Sequence, residues 1–349
     1  MTIRSKAPLR LGLAGGGTDV SPYCDLYGGQ VLNATINLYA YCTIEETDTK
    51  TICIHSYDTD VEEEIPASPS LAINGKASLI KGVYNRIVKD YQLPALSFKI
   101  TTYNDAPSGS GLGTSSTMVV CILKAFTTWL GLPLGDYEIA KLAYQIERID
   151  LGLSGGKQDQ YAAAFGGFNL IEFHPDNMVV VNPLRMKRWI IDELEASTVL
   201  YFTGRSRASA AIIDEQKKNA AEGNEAAVSA MHQIKQHATD MKLALLKCDI
   251  NRLATILRDS WEAKQKMASN ITNPIIQNAM DVALSAGAKA GKVSGAGGGG
   301  FILFIVDPTR KQMVERALRK LDGFVLPFCF TDQGAHGWKI FPTDKVGHL

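Results

Sequence analysis

Apolar and polar positions follow two patterns along this chain, one in its first half and one in its second. Short apolar runs in the first half are separated by turns rich in glycine, aspartate and threonine, which is typical of strands. Longer stretches have apolar positions at helical spacing. The predicted strands are 9–14, 31–44, 51–57, 96–103 and 168–173, and the predicted helices are 77–91, 118–130 and 136–150.

The second half has a mainly helical pattern that ends in mixed elements. A strand predicted at 199–202 is followed by helical spacing over most of 206–267. The later predicted elements are a helix at 273–286, a strand at 301–306, a helix at 312–321 and a strand at 324–330. This order predicts an α+β fold. Pro183 and a charged segment interrupt the pattern near 180–195, so we predict domains at 1–190 and 191–349.

Composition narrows the class of protein. A length of 349 residues favours about two domains. The formal net charge of zero gives no electrostatic reason to expect nucleic acid or an anionic membrane as a partner. Neither a signal-peptide core nor an apolar run of membrane-spanning length is present in the sequence. Six scattered cysteines without a CxxC pair favour free thiols, so we expect a cytoplasmic protein.

The segment PSGSGLGTSST, residues 107–117, is the strongest chemical signal. Its glycines alternate with hydroxyl residues, and a helical pattern follows at once. Backbone N–H groups and a helix N-terminus then converge on one point, which suits a phosphate chain. The segment lacks the GxxxxGK[ST] pattern, so it is not a Walker A loop. A tight turn is the alternative when this loop is taken alone.

Two further glycine-rich segments flank it in the sequence. The first is APLRLGLAGGGTD, residues 7–19, which places Arg10 in a predicted strand and Thr18 and Asp19 after three glycines. An outward-facing strand charge and a capped turn are the alternatives. The second, residues 295–300, satisfies GxGxxG, but a strand rather than a helix follows it. This context argues against a dinucleotide-binding dehydrogenase.

Two carboxylates are candidates for chemistry. Glu147 lies at the edge of the apolar stripe of its predicted helix, although a surface pair with Arg148 is the alternative. Asp159 follows a second glycine-rich loop and is flanked by Lys157, Gln158 and Gln160. A carboxylate beside a cation stays ionised and accepts a proton from a hydroxyl. A helix N-cap is the alternative for Asp159.

Together these segments resemble the GHMP kinases, the superfamily named for galactokinase, homoserine kinase, mevalonate kinase and phosphomevalonate kinase. Residues 7–19, 107–116 and 292–300 match its three motifs in order and span nearly the whole chain. The resemblance implies an α+β, two-domain GHMP kinase fold. Its N-terminal domain would resemble domain 2 of ribosomal protein S5, and its C-terminal domain would be ferredoxin-like. It also implies ATP and Mg²⁺ as cofactors.

The resemblance further implies roles for residues at matching positions. Asp159 would polarise or deprotonate the sugar hydroxyl, and Arg10 would offset the developing charge. Ser115 and Glu147 would hold Mg²⁺. The ATP phosphates would lie on Pro107, Gly109, Gly111, Leu112, Gly113, Thr114, Ser115 and Ser116. The substrate would contact Gly16, Gly17, Thr18, Asp19, Gly155, Gly156 and Asp159. The third motif contributes Ser294, Gly295, Gly297, Gly298 and Gly299.

Within the superfamily, residues 7–37 and 153–169 are similar to the D-glycero-D-manno-heptose 7-phosphate kinases. This implies phosphorylation of the anomeric O1 to a 1,7-bisphosphate, in the synthesis of nucleotide-activated heptose for surface polysaccharide. Another sugar 1-kinase, fucose kinase-like or galactokinase-like, and a non-catalytic sugar or nucleotide sensor remain as alternatives. The galactokinase pattern GEHTD is replaced here by GGGTD, residues 15–19.

A substrate that already carries a phosphate needs a second anion site. Arg205 and Arg207, in the segment GRSRAS, are the predicted phosphate-binding residues, because guanidinium groups and hydroxyls suit a phosphate dianion. Arg4, Lys6 and Lys157 are competing candidates, and a solvated helix start is the alternative for the segment.

Overall fold

A large and a small β-sheet form the framework of the molecule. The computed structural model describes residues 1–75, 77–204 and 210–341. The described strands are β1 (Thr2–Ala14), β2 (Gly29–Glu46), β3 (Thr51–Ser56), β4 (Val61–Pro66), β5 (Phe98–Asn104), β6 (Phe168–Phe173), β7 (Val179–Pro183), β8 (Thr198–Phe202), β9 (Ala288–Val293), β10 (Phe301–Val306), β11 (Phe324–Val325) and β12 (His336–Ile340).

Along the chain, most helices fall into two groups. The first lies between β1 and β6 of the large sheet, and the second lies between β8 and β9 of the small sheet. The described helices are α1 (Tyr23–Tyr27), α2 (Ser78–Asp90), α3 (Thr114–Leu130), α4 (Asp136–Gln145), α5 (Gln158–Phe165), α6 (Arg188–Ala196), α7 (Ala210–Ala221), α8 (Glu225–Leu246), α9 (Ile250–Lys264), α10 (Pro274–Ser285) and α11 (Lys311–Leu318). A π-helical turn, Ile146–Asp150, continues α4.

The long strand β2 organises the large sheet, whose strand order is β12-β1-β2-β5-β3-β4. Residues 29–34 of β2 pair with β6, and residues 40–46 pair with β5. β6 in turn pairs with β7. The pairing of β3 with β5 is parallel, whereas the other pairs described in this sheet are antiparallel. The small sheet has the order β11-β8-β10-β9 and is antiparallel.

Helix α3 is the central helix of the first core. Thirteen of its seventeen residues are buried, and Phe126 packs among Tyr84, Phe98 and Trp129. A helix that is apolar nearly all round must lie inside the protein. Its burial fixes its N-terminus, and therefore the glycine-rich loop before it, against the sheet.

The last described strand returns to the first sheet. β12 pairs with β1 in an antiparallel register that matches Lys6 with His336 and Thr2 with Ile340. The predicted division into residues 1–190 and 191–349 stays a prediction. β12 belongs to the second of these ranges but pairs with β1 of the first. Within the described ranges, no helix has both the length and the apolar composition needed to cross a lipid bilayer.

Most predicted elements are confirmed, and the differences have physical causes. The sequence pattern missed β4, β7, β9, β12, α1, α5 and α6. β4 has no fully buried position, so its sequence lacks a clear apolar alternation. The predicted helix 136–150 changes to a π turn after Gln145, and its N-cap is Gly135 rather than Asp136. The predicted strand 324–330 shortens to Phe324–Val325.

Candidate active site

The glycine-rich loop and α3 form a phosphate-binding arrangement. Gly109, Gly111 and Gly113 have φ angles of 73°, 83° and 79°, in the left-handed region that glycine occupies without strain. Gly113 is the N-cap of α3 and carries no side chain that would satisfy the first-turn N–H groups. The loop therefore presents backbone donors at the positive end of a buried helix.

The loop borders a cavity of about 370 Å³. Six of its eight predicted phosphate-binding residues line this cavity: Gly109, Gly111, Gly113, Thr114, Ser115 and Ser116. The other two, Pro107 and Leu112, do not line the cavity and accept backbone hydrogen bonds instead. The carbonyl of Pro107 accepts a hydrogen bond from the N–H of Ser110, and buried Leu112 accepts one from the N–H of Arg10. Direct phosphate contact by all eight stays a prediction.

Arg10 and Asp159 form the central ion pair of the cavity. Arg10 lies in β1 and is almost fully buried, and Asp159 lies in the first turn of α5. The Nε and Nη2 atoms of Arg10 lie 2.7 Å and 2.6 Å from Oδ1 of Asp159. Nη1 of Arg10 donates to the carbonyl of Gly111 at 2.5 Å. One guanidinium thus joins the carboxylate to the phosphate-binding loop.

The second carboxylate oxygen of Asp159 faces the same loop. A Cβ atom placed on Gly113 would lie 3.2 Å from Oδ2 of Asp159 and 3.1 Å from its Cγ. Glycine at position 113 therefore keeps open the space between the carboxylate and the start of α3.

Glu147 lies on the π-helical turn and is 1 % exposed. Its Oε1 accepts a hydrogen bond from Ser116 at 2.9 Å, and its Oε2 accepts one from Gln160 at 2.5 Å. The guanidinium of Arg148 lies 3.5 Å from Oε1. Burial raises the pKa of Glu147, while Arg148 and the two hydrogen bonds lower it. Glu147 and Arg148 are consecutive residues of this π-helical turn, and both line the cavity.

The donor set fits a magnesium ion. Mg²⁺ is held by one or two carboxylates together with water and phosphate oxygens. Each oxygen of Glu147 accepts one described hydrogen bond and keeps a further lone pair. Ser115 is exposed to the cavity, whereas its neighbour Ser116 is buried and holds the carboxylate in place. A bound cation would also offset the cost of burying the charge of Glu147. The assignment of Ser115 and Glu147 as ligands stays a prediction.

Asp19 and the loop before α5 form one side of the cavity. Buried Asp19 accepts hydrogen bonds from the N–H of Gly17 at 3.1 Å and from the N–H and side-chain amide of Gln158, each at 3.0 Å. A Cβ on Gly156 would lie 1.9 Å from Oδ2 of Asp19. The predicted substrate residues that line this side are Gly16, Gly17, Asp19, Gly155 and Gly156.

Thr18 differs from its neighbours in this set. It is fully buried, and its hydroxyl donates toward the carbonyls of Gly15 and Gln30 at 2.8 Å and 3.0 Å. The same hydroxyl accepts a hydrogen bond from the N–H of Gln30. The structure therefore gives Thr18 the role of holding the turn to β2, and Asp19 is the member of the pair that borders the cavity.

The third glycine-rich segment interlocks with the phosphate-binding loop. It connects β9 to β10, and β10 is the strand that the sequence pattern predicted after it. A Cβ on Gly295 would lie 2.7 Å from the Cα of Gly111, and the hydroxyl of Ser294 donates to the carbonyl of Gly111 at 3.0 Å. Gly297 and Gly298 pack against Ile271, and Gly299 is buried. Gly295 is the predicted residue of this segment that lines the cavity.

The predicted phosphate-binding residues Arg205 and Arg207 lie outside the described residues. The competing candidate Lys157 has its ammonium 3.2 Å from Asp25 and 3.2 Å from the side-chain oxygen of Asn177. Lys6 lies over the ring of Tyr39. Both lysines therefore have partners outside the cavity lining.

Sequence reasoning missed several residues that line the cavity. They are Arg148, Gln158, Gln216, Lys264 and Lys292. Lys264 continues the buried stripe of α9 that includes Leu253, Leu257 and Trp261. Gln216 occupies the same kind of position between Ile212 and Ala220 of α7. A polar residue within an apolar helical stripe is the signal that could have identified both.

Comparison with known proteins identifies the family to which this chain belongs. Models of the GHMP kinases N terminal domain and the GHMP kinases C terminal domain match residues 78–167 and 241–322. One relative is 53 % identical over 97 % of this chain and 99 % of its own length. The chain therefore belongs to the GHMP kinases, and it is a phosphotransferase. That relative is the D-glycero-alpha-D-manno-heptose 7-phosphate kinase of Campylobacter jejuni.

Solved structures support the same family. A structure described as a D-glycero-D-manno-heptose 1-phosphate kinase from Bacteroides thetaiotaomicron is 61 % identical, with a TM-score of 0.85 over 97 % of this chain and all of that chain. A putative sugar kinase from Campylobacter jejuni is 50 % identical, with a TM-score of 0.80 over 97 % and 98 % of the two chains. The predicted GHMP kinase fold is confirmed.

Proposed function

We propose that this kinase transfers the γ-phosphoryl group of ATP to the anomeric hydroxyl of D-glycero-D-manno-heptose 7-phosphate and forms the 1,7-bisphosphate. The observation that carries the proposal is the position of Asp159. Arg10 holds one of its oxygens, and the other faces Gly113 at the start of α3. A proton acceptor thus borders the phosphate-binding loop directly.

Asp159 supplies the acid–base chemistry of the transfer. It accepts the proton of the sugar hydroxyl as the O–P bond forms and the bond from the γ-phosphorus to the bridging oxygen of ADP breaks. Arg10 keeps the carboxylate oriented through Oδ1 and adds positive charge beside the reacting oxygen. Its third contact, to the carbonyl of Gly111, fixes the distance between base and loop.

The phosphate chain is positioned by the backbone of residues 109–116 and the N-terminus of α3. Glu147 and the hydroxyl of Ser115 would hold Mg²⁺, with Ser116 and Gln160 orienting the carboxylate. The ion would neutralise phosphate charge and orient the transferred group. Transfer then depends on positioning and charge neutralisation, which this cavity provides.

The names of the relatives support a heptose phosphate as the acceptor. The 53 % identical relative is named for heptose 7-phosphate, and the 61 % identical structure is described by heptose 1-phosphate. These names place the reacting hydroxyl at opposite ends of the sugar, so heptose 1-phosphate is the second candidate acceptor. A fucose kinase-like activity is less supported, because the bifunctional fucokinase of Arabidopsis thaliana is 25 % identical and this chain matches 30 % of its length. The product would enter the synthesis of nucleotide-activated heptose.

We further propose that the protein works in the cytoplasm. Its six cysteines are free thiols, which fits a reducing compartment.

We also propose that Arg205 and Arg207 bind the phosphate that the acceptor already carries. Replacement of both arginines by alanine is expected to raise KM for the sugar phosphate and to leave KM for ATP unchanged. An unchanged KM for the sugar phosphate would reject these residues as the anion site.

The acceptor is identified by measuring ADP release with heptose 7-phosphate, heptose 1-phosphate, fucose, galactose and mevalonate. We expect heptose 7-phosphate to give the highest kcat/KM by at least about tenfold, a factor that corresponds to one charge-assisted hydrogen bond. A higher kcat/KM with heptose 1-phosphate would reverse the assigned acceptor position. A higher value with an unphosphorylated sugar would reject the heptose phosphate as substrate.

A further inference from the structure

Lys264, the last residue of α9, enters the cavity from the second half of the chain. It is 3 % exposed and lines the cavity together with Arg10, Asp159 and the phosphate-binding loop. Its ammonium donates to the carbonyl of Gly295. Gly295 packs directly on Gly111, whose carbonyl accepts from Arg10. Gly295 is therefore the single residue that lies between the ammonium of Lys264 and the predicted phosphate-binding loop.

The position of Lys264 on its helix is unfavourable for a lysine that has no charge partner. Leu253, Leu257 and Trp261 precede it on the buried face of α9. Burying an ammonium costs free energy unless hydrogen bonds or opposite charges compensate. The ammonium of Lys264 has three N–H donors, and among the described hydrogen bonds one of them is used, by the carbonyl of Gly295. The site thus contains a cation with remaining capacity for an anionic group.

Burial and then the charge of Arg10 lower the pKa of Lys264, Asp19 and Asp159 oppose this, and the net effect is a fall from 10.5 to about 8. The ammonium is therefore charged at neutral pH. Lys292 lies nearby and donates to the carbonyl of Gly12 at 2.9 Å. Burial, Lys264 and Arg10 together hold the pKa of Lys292 well below its usual range.

We propose that Lys264 binds the terminal phosphoryl group of the nucleotide and neutralises the charge that it carries during transfer. The inference rests on the kinase activity and is independent of which sugar is the acceptor. A lysine ammonium is a compact point charge that suits a phosphoryl oxygen. Lys264 stands beside Asp159 and Arg10, so it stabilises the transferred group close to the position of the attacking oxygen.

A purely structural role predicts different behaviour. If Lys264 served only to hold the third glycine-rich segment through Gly295, its loss would weaken binding of ATP and ADP alike. A residue that contacts the terminal phosphoryl group affects ATP and leaves ADP largely unchanged, because ADP lacks that group. The ratio of the two affinities therefore separates the roles, and it is measured without any sugar.

The test compares Lys264→Met, Lys264→Arg and the matched control Lys266→Met, whose side chain is exposed two residues further along. Calorimetric titration with Mg²⁺ and either nucleotide gives the affinity ratio. For Lys264→Met we expect ATP affinity to fall by about tenfold or more relative to ADP, and kcat by about 10² or more. Lys264→Arg is expected to recover part of both losses, and Lys266→Met to match the native protein.

The proposal is overturned if folded Lys264→Met keeps the native ATP-to-ADP affinity ratio, or if it weakens both nucleotides equally. If Lys264→Met does not fold, Lys264→Gln is titrated in the same way. The native protein gives a further check, since its ATP-to-ADP affinity ratio is expected to fall as Lys264 loses its proton at high pH. A ratio that rises with pH would overturn the proposal.

Discussion

Arg10 contacts Asp159 through two guanidinium nitrogens that converge on a single carboxylate oxygen. Nε and Nη2 lie 2.7 Å and 2.6 Å from Oδ1, and Oδ2 is directed toward Gly113. The ion pair thus divides the carboxylate into an oxygen that is held and an oxygen that faces the phosphate-binding loop. This division leaves one carboxylate oxygen available for the proposed role of Asp159 as the base.

Removal of the charge of Asp159 tests its role as a base. Because Asp159→Asn retains the shape of the side chain, we expect nucleotide affinity to stay within about threefold and kcat to fall by about 10² to 10⁴. Steady-state kinetics and nucleotide titration measure the two effects. Asp332→Asn, at an exposed position, is the control. Near-native turnover by folded Asp159→Asn would remove the carboxylate from the mechanism.

A methyl group at position 113 tests the space between the loop and the carboxylate. Gly113 and Gly131 are the N-cap and C-cap of α3 with φ angles of 79° and 67°, so alanine is strained at both and costs about 1–2 kcal/mol. A Cβ at 113 meets Asp159, whereas a Cβ at 131 has no atom within 4 Å. We expect both variants to lose similar stability on thermal unfolding.

The two alanine variants differ in activity. Gly113→Ala should lose at least about tenfold in kcat/KM, because a 1 Å displacement of the reacting groups costs up to about 10² in rate. Gly131→Ala should keep near-native kinetics at a temperature where it is folded. Equal kinetic losses in both variants would show that strain at the ends of α3, and not the contact with Asp159, determines the effect.

The buried carboxylate of Glu147 is tested by magnesium dependence. Glu147→Gln keeps the size of the side chain and removes the charge, so we expect the Mg²⁺ concentration for half-maximal activity to rise by at least about tenfold. Ser116→Ala removes the hydroxyl that donates to Oε1 and should give a smaller rise in the same direction. An unchanged Mg²⁺ dependence in Glu147→Gln would exclude this carboxylate as a ligand.

The pH dependence of nucleotide binding follows from Lys264. Its pKa is lowered by burial from 10.5 to about 8, so the ammonium is charged below that pH and neutral above it. We expect the affinity for ATP relative to ADP to fall about tenfold by pH 9, in proportion to the charged fraction. Lys264→Met should show no such fall over the same range.

The stability of the folded protein should rise with pH over a range in which the relative affinity for ATP falls. Between about pH 8 and pH 10.5 the unfolded chain keeps the proton of Lys264 and the folded protein does not. The free energy of unfolding therefore gains a contribution that rises with pH in this window. Chemical denaturation of the native protein and of Lys264→Met isolates this contribution as their difference, and a difference that falls with rising pH would contradict it.

The sequence predicted the parts of the site that depend on local chemistry. Alternation of glycine and hydroxyl residues before an apolar helix located the loop of Gly109, Gly111 and Gly113, and its left-handed backbone requires those glycines. Asp159 and Glu147 were identified because each lies next to a local feature, a glycine-rich loop and an apolar stripe. The comparisons confirm the fold and the kinase class.

Features that depend on contacts between distant residues were not accessible from the pattern. The contact of Arg10 with Asp159 joins residues 149 positions apart, and the register that creates it is set by packing of β1 and α5 on α3. Lys264 comes from a helix with no recognised motif. The hydrogen bond from the hydroxyl of Ser116 to Glu147 could not be read from the pattern either, because it joins two separate elements. β12 is short, and its pairing with β1 spans the length of the chain.

The position of the transferred phosphate tests the central claim most directly. Reaction of the protein with Mg²⁺, ATP and D-glycero-D-manno-heptose 7-phosphate is followed by phosphorus–proton correlation NMR of the product. We predict a new phosphate signal coupled to the anomeric proton, with the signal of the 7-phosphate retained and one ADP formed for each product molecule. Attachment of the new phosphate at any other carbon, or formation of ADP without a sugar bisphosphate, would contradict the account.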